Sequence, residues 1–318
     1  MSDTKIKLPI IVGATASGKS ALALRIATEY NGEIVSCDSM QIYRGMDIGT
    51  AKPTAEEQAA VPHHMIDIVD PWESFSCADY ALAAEKVIAD IISRGKLPIV
   101  CGGTGLYLDA LLRGGLNEEA DSDEDYRREL TSLATEKGNE YIHALLTEID
   151  PESAEAIHPN NLKRVIRALE VYKVTGKPKS VLDREKSDLS AKYEPLAVCL
   201  WYNDREVLYD RINQRVDLMV SGGLVDEVRR LDEEKIFERS TTAAGAIGYK
   251  ELLGYIRGEL PYNVSVETLK MATRRYAKRQ MTWFGSKPYI NKLFVDRMDN
   301  GEFEKIIKNA EKVFQLSK

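Results

Sequence analysis

The sequence is poor in the residues that would commit it to metal, disulfide or membrane chemistry. Its four cysteines (Cys37, Cys77, Cys101, Cys199) are scattered without a C-x-x-C pair, and of four histidines only His63 and His64 are adjacent. That spacing offers neither a zinc site nor a disulfide framework, so reduced, mostly buried thiols are expected. No apolar run approaches the length of a membrane span, and Met1–Lys5 opens no signal-peptide apolar region, so a cytoplasmic protein is expected. Positive charge is also in deficit. The net charge of −7 argues against a surface coated for nonspecific nucleic-acid binding, while leaving local basic patches open. No N-K-x-D string is present to read guanine.

What is present is enough chain, 318 residues with 44% hydrophobic content, for two domains or one large α/β domain carrying an insertion. The strongest string is Gly13-Ala14-Thr15-Ala16-Ser17-Gly18-Lys19-Ser20. An apolar run, Leu8 to Val12, precedes it, and a stretch of helical composition, Ala21 to Ala27, follows. Strand, glycine loop and helix are the context that makes G-x-x-x-x-G-K-S a phosphate-binding loop. Gly13 and Gly18 let several backbone N–H groups point inward at a helix N-terminus. Lys19 supplies a point charge, and the Ser20 hydroxyl is placed to ligate Mg²⁺. The loop specifies a diphosphate or triphosphate, not which one.

Further along, Ile34-Val35 reads as a short buried strand with Asp38 just past its C-terminal end, where open α/β sheets bind ligands. A carboxylate there can be a general base, a metal-shell ligand or a helix cap. Asp79–Arg94 reads as a helix with an apolar face of Ala81, Leu82, Ala84, Val87, Ile88, Ile91 and Ile92. Leu97 to Cys101 is the next strand, ending in Gly102-Gly103-Thr104-Gly105-Leu106-Tyr107, with Thr104 a candidate N-cap. Gly114-Gly115 marks a break, the run Asn117 to Asp125 is strongly acidic, and the composition to about Tyr193 is helical and polar. Within it, Leu162, Val165, Ile166, Leu169 and Tyr172 recur at helical steps and Gly176 stops them, with Lys163, Arg164 and Arg167 off that stripe. Leu196 to Leu200 is a further strand. Glu206 to Val220 is a helix on which Arg211 and Arg215 share a face. A last long helix is expected from about Ser265, with Arg274, Lys278, Arg275 and Arg279 on basic ridges.

The phosphate loop, Asp38-Ser39-Met40-Gln41-Ile42-Tyr43, Gly49-Thr50-Ala51-Lys52-Pro53, Pro62-His63-His64, the Gly102 to Tyr107 string and Lys278-Arg279-Gln280-Met281-Thr282-Trp283-Phe284 together resemble the tRNA dimethylallyltransferases (tRNA isopentenyltransferases). The resemblance covers most of the chain. It implies transfer of a dimethylallyl group from dimethylallyl diphosphate, with Mg²⁺, to the exocyclic N6 of the adenine next to the anticodon, in tRNAs reading codons that begin with U. By position it makes Asp38 the general base, with Thr104 and Arg215 in the catalytic set. Gly13 to Ser20 and Arg211 then hold the diphosphate, and Ser20 the Mg²⁺. It places Asp38, Ser39, Met40, Gln41, Thr104, Arg127, Lys163, Arg164, Val165, Ile166, Arg167, Gly248, Tyr249, Lys278, Arg279 and Gln280 at the tRNA. Ala14 stands where a proline is common, and Gly285 where an arginine often does. The zinc module of eukaryotic relatives is absent from the tail, Lys287 to Lys318, in which no chemistry is legible.

The expected architecture is a P-loop α/β core with a parallel sheet, residues 1–115 and 195–318, with a helical domain, 116–194, inserted and contacting tRNA. A monomer is expected. Three other functions fit parts of the pattern: a small-molecule phosphotransferase using the same loop, prenylation of free adenine nucleotides, and a nucleotide-dependent RNA-binding switch.

Overall fold

A computed structural model describes residues 5–113, 123–185, 192–295 and 300–317. Gly114-Gly115 and most of the acidic run lie outside the described residues. The chain divides into two compact units, residues 1–111 with 191–318, and residues 112–190. Each boundary falls slightly N-terminal to the one expected from composition.

The larger unit is built on one six-stranded sheet: β1 Ile6–Gly13, β2 Gly32–Cys37, β3 His63–His64, β4 Leu97–Gly102, β5 Tyr193–Trp201 and β6 Ile290–Phe294. All pairings are parallel and the spatial order is β3-β2-β4-β1-β5-β6. Parallel strands need both faces covered, which is why β1, β2 and β4 read as apolar runs and are almost wholly buried. The order reverses direction around β1, so the loops after β1, β2 and β4 gather at one carboxyl edge, the switch point where such sheets bind ligands. The tail is structural. β6 completes the sheet, the helix Asn300–Phe314 buries Ile306, Ile307, Ala310 and Phe314 in the main core, and Lys287 Nζ pairs with the nearly buried Asp109 at 2.6 Å.

The helix Cys77–Ser93 starts in a capping box between Ser76 and Asp79. It buries Tyr80, Ala81, Ala84, Ile88 and Ile91, but leaves Leu82 63% and Ile92 38% exposed, so the apolar face is narrower than the composition implies. Tyr80, not expected there, fills the gap and stacks on Tyr107. The long helix runs Tyr262–Gly285, three residues earlier than Ser265, because Pro261 fixes an extended backbone just before it.

The smaller unit is all-helical, with Glu124–Lys137, Asn139–Ile149, Pro151–Ala156, Leu162–Thr175 and Lys179–Glu185. Its core is Leu130, Ala134, Ile142, Leu146, Val165, Ile166 and Leu169 with their neighbours. Asp123 caps the first helix through Tyr126 N–H, and Gly176, in the left-handed region at φ 71°, stops Leu162–Thr175.

Candidate active site

The phosphate loop joins β1 to the helix Lys19–Glu29. Gly18 precedes that helix at φ 95°, a left-handed backbone, and a Cβ at Gly13 would come within 2.8 Å of Ser17 Oγ. Both positions therefore require glycine. Lys19 Nζ folds back to 3.4 Å from Ala14 O, and Arg211 Nε donates to Ala16 O at 3.0 Å. Ser17 Oγ is buried with no partner among the described residues, an orphaned polar atom that a bound oxyanion would satisfy.

Asp38 stands where β2 ends. Its Oδ1 accepts from Met40 N–H at 2.9 Å and Gln41 N–H at 3.4 Å, so one oxygen shapes the turn, while Oδ2 is bonded to no described residue. Gln41 is held by its own side chain, which donates to Thr50 O and Ala51 O and accepts from Ser36 Oγ.

Lys19, Ser20, Asp38, Ser39, Met40, Gln41, Arg215, Gly248, Arg279 and Gln280 open on one cavity of about 350 Å³. Its apolar side is Val216, Met219, Ala246, Ile247 and Leu269. A smaller space of about 260 Å³ on the loop shares Lys19, Ser20 and Arg215 and adds Arg211. Burial, then the nearby Arg215, lowers the Lys19 pKa, and burial lowers that of Arg215, opposed by Asp38. Two cations crowded together out of water are a site waiting for an anion. Tyr276, on the same wall, has its phenol pushed up by burial and then by Asp38, and stays neutral.

Several expected contacts take other roles. Thr104 does not cap its helix with its side chain. Its Oγ1 accepts from Ser39 N–H at 3.0 Å and donates to Ser39 Oγ at 3.3 Å, so it fixes the turn after Asp38. Gln280 is 5% exposed and its amide bonds both glycine loops, so its side-chain hydrogen bonds go to Thr15 and Gly103 while it lines the cavity. Tyr249 is fully buried with its hydroxyl on Glu227 Oε1 at 2.8 Å, so its side chain is structural as well. Lys278 lies on the side of its helix away from Gln280 and lines a different cavity. In the smaller unit, Val165 and Ile166 are core residues, 0% and 6% exposed, so their side chains are unavailable to RNA. Arg127 and Arg167 both pair with Glu170, itself fully buried, while Lys163 and Arg164 are exposed. The histidines are structural: His64 Nε2 lies 2.7 Å from Glu33 Oε2, and His63 bonds Val61 O.

Sequence reasoning missed Glu227. Its carboxylate accepts from Asp47, Ile48 and Gly49 N–H and from Tyr249 O–H, and it is buried. It thereby pins the loop whose Thr50 and Ala51 carbonyls hold Gln41. Nothing in the spacing of an acidic helix face marks one glutamate as buried. The apolar wall was also hidden, because Val216 and Met219 continue a stripe that reads as ordinary core.

The family model described as IPP transferase matches residues 41–287, and one described as isopentenyl transferase matches 6–67. A tRNA dimethylallyltransferase of Acetivibrio thermocellus is 51% identical over 300 residues, covering 94% of this chain and 95% of that one. One from Thermoanaerobacter sp. strain X514 is 46% identical over 306 residues and 96% of each chain. Among solved structures, the full-length tRNA isopentenylpyrophosphate transferase of Bacillus halodurans superposes with a TM-score of 0.71 at 44% identity, covering 98% and 97% of the two chains. A eukaryotic dimethylallyltransferase acting on tRNA superposes with a TM-score of 0.81 at 30% identity, covering 99% of this chain and 81% of that one.

Proposed function

The chain belongs to the IPP transferase family, whose relatives above are tRNA dimethylallyltransferases, and from that premise we propose how its cavity moves a dimethylallyl group from dimethylallyl diphosphate to the exocyclic N6 of the adenine next to the tRNA anticodon. The observation that carries the reading is that Lys19 with Arg215, and Asp38 with one unbonded oxygen, face a single cavity that has an apolar wall. A kinase needs the cations but has no use for that wall.

In this reading the loop N–H groups, Lys19, Arg211 and Arg215 hold the diphosphate, and Ser17 Oγ joins them. Val216, Met219, Ala246, Ile247 and Leu269 hold the prenyl tail. The adenine enters beside Ser39, Met40, Gln41 and Gly248. The nitrogen attacks the allylic carbon as the carbon–oxygen bond to diphosphate breaks, and the N6 proton passes to Asp38 Oδ2. An aromatic amine is a weak nucleophile, so positioning and proton removal supply much of the acceleration. The departing negative charge meets cations already desolvated. The base leaves its stack to reach the site.

Among the described residues no group of three or more His, Cys, Asp or Glu side chains could cage a metal. Mg²⁺ suits such a site, because it keeps waters and binds phosphate oxygens with one or two protein ligands, here the Ser20 hydroxyl. When bound it lowers the charge of the leaving group. Arg279 and, in the smaller unit, Lys163 and Arg164 are assigned to RNA phosphates. No described helix is long and apolar enough to cross a membrane.

The test is incubation of the protein with dimethylallyl diphosphate, Mg²⁺ and unmodified tRNA, followed by mass analysis of the nucleosides. An adenosine heavier by one isoprene unit is expected. Modification of free AMP in place of tRNA would overturn the choice of substrate.

A further inference from the structure

The helix Tyr262–Gly285 presents a second cavity on the face opposite the active site, of about 270 Å³, beside the carboxyl end of β5 and the middle of β6. Residues 278, 281, 282 and 285 face it, whereas 269, 273, 276 and 280 face the catalytic cavity. These two sets lie on opposite sides of a 3.6-residue repeat. Three cations, Arg205, Lys278 and Lys292, line the second cavity together with Trp201 and Tyr209, and no carboxylate does. Among the described residues none of the three cations has an ion pair. All three are exposed, which leaves them open to an anion arriving from solvent. Lys292 Nζ is 4.3 Å from the Trp201 ring centroid, a cation–π contact. Gly285 gives the cavity its depth. A Cβ there would meet Trp201 Cη2 at 2.8 Å.

We propose that this cavity is a nucleotide-binding subsite, taking a phosphate on Arg205, Lys278 and Lys292 and a base against Trp201 and Tyr209. Three exposed cations around one groove with no carboxylate in its lining make a local positive potential that favours an anion. A phosphate beside an aromatic edge is the chemistry by which single-stranded nucleic acid and free nucleotides are both held. The two sources, an RNA strand and a free nucleotide, share that chemistry. Only the RNA source depends on the function proposed above.

The experiment is equilibrium dialysis with radiolabelled AMP and, in parallel, filter binding of unmodified tRNA. Both use the wild type, an Arg205→Glu/Lys292→Glu double variant and Lys19→Ala. Both reversed positions are exposed, so folding should survive. If the source is a free nucleotide, AMP binding falls about tenfold or more in the double variant and persists in Lys19→Ala. If the source is RNA, the double variant weakens tRNA binding by a similar factor and reduces its salt slope by about two phosphates' worth. Quenching of fluorescence by the bound nucleotide should vanish in Trp201→Phe. The proposal is overturned if neither ligand's affinity responds to the double variant, or if AMP binding is lost in Lys19→Ala and retained in the double variant. Because these are binding measurements, they stand whether or not prenyl transfer is observed.

Discussion

Gln280 clamps Thr15: its Oε1 accepts the Thr15 N–H at 2.9 Å while its Nε2 donates to Gly103 O at 2.9 Å. One buried amide thus ties the phosphate loop after β1 to the glycine turn after β4. Gln280→Leu keeps volume and orphans both partners. Each buried, unmet amide or carbonyl costs roughly 1–3 kcal/mol. We expect a stability loss in that range or above it by urea denaturation, with a raised KM for dimethylallyl diphosphate. An RNA affinity that falls while stability and donor KM stay put would return Gln280 to the RNA contact its sequence position implied.

Glu33 is a buried carboxylate held by Arg94, then Lys96 and His64, which keep its pKa well below the usual carboxylate range. A depressed carboxylate contributes stability that is present above its unfolded pKa of roughly 4.3 and is lost as pH falls toward the folded value. Urea midpoints should therefore be flat in this respect from pH 7 to about 5, then fall more steeply below about pH 4.3 in wild type than in Glu33→Gln. Parallel profiles for the two proteins would contradict the linkage.

The chemistry was more legible in the sequence than the packing. The phosphate loop, Asp38 at a strand end and the strand-turn-helix after Cys101 were readable because each depends on local backbone chemistry. Gln280 and Glu227 were not, since their partners lie 265 and about 180 residues away in the chain. Val165 and Ile166 show the converse. Their helical spacing with Leu162 and Leu169 already pointed inward, and the RNA role came only from the family's position. The trio Lys163, Arg164 and Arg167 looked uniform until Glu170, 0% exposed, took Arg167 and Arg127 for itself.

Asp38→Asn preserves shape and the turn-forming Oδ1, and removes the base. Loss of a general base typically costs 10²–10⁴-fold, so we expect kcat to fall by about that factor with tRNA affinity nearly intact. Single-turnover prenylation and filter binding measure the two. Near-normal turnover would remove Asp38 from proton transfer.

The split within the basic helix makes a two-part expectation. Lys163→Ala/Arg164→Ala should weaken tRNA binding and reduce the salt slope by roughly two phosphates' worth, with stability nearly unchanged. Arg167→Ala should instead destabilise the helical unit, because Glu170 would keep only Arg127 and the Asp123 N–H. A salt slope unchanged in the double variant would leave those two residues as a solvated face.

The central claim is that the phosphate loop holds a leaving group and not a phosphoryl donor. The most direct measurement follows tRNA and dimethylallyl diphosphate in a reaction rigorously freed of ATP, counting diphosphate released and prenylated adenosine formed, for wild type and Lys19→Ala. The account predicts one diphosphate per prenylated adenosine without ATP, and a slower reaction in Lys19→Ala, where the departing charge loses its nearest cation. A reaction that waits for ATP and hydrolyses it in step with product would contradict it.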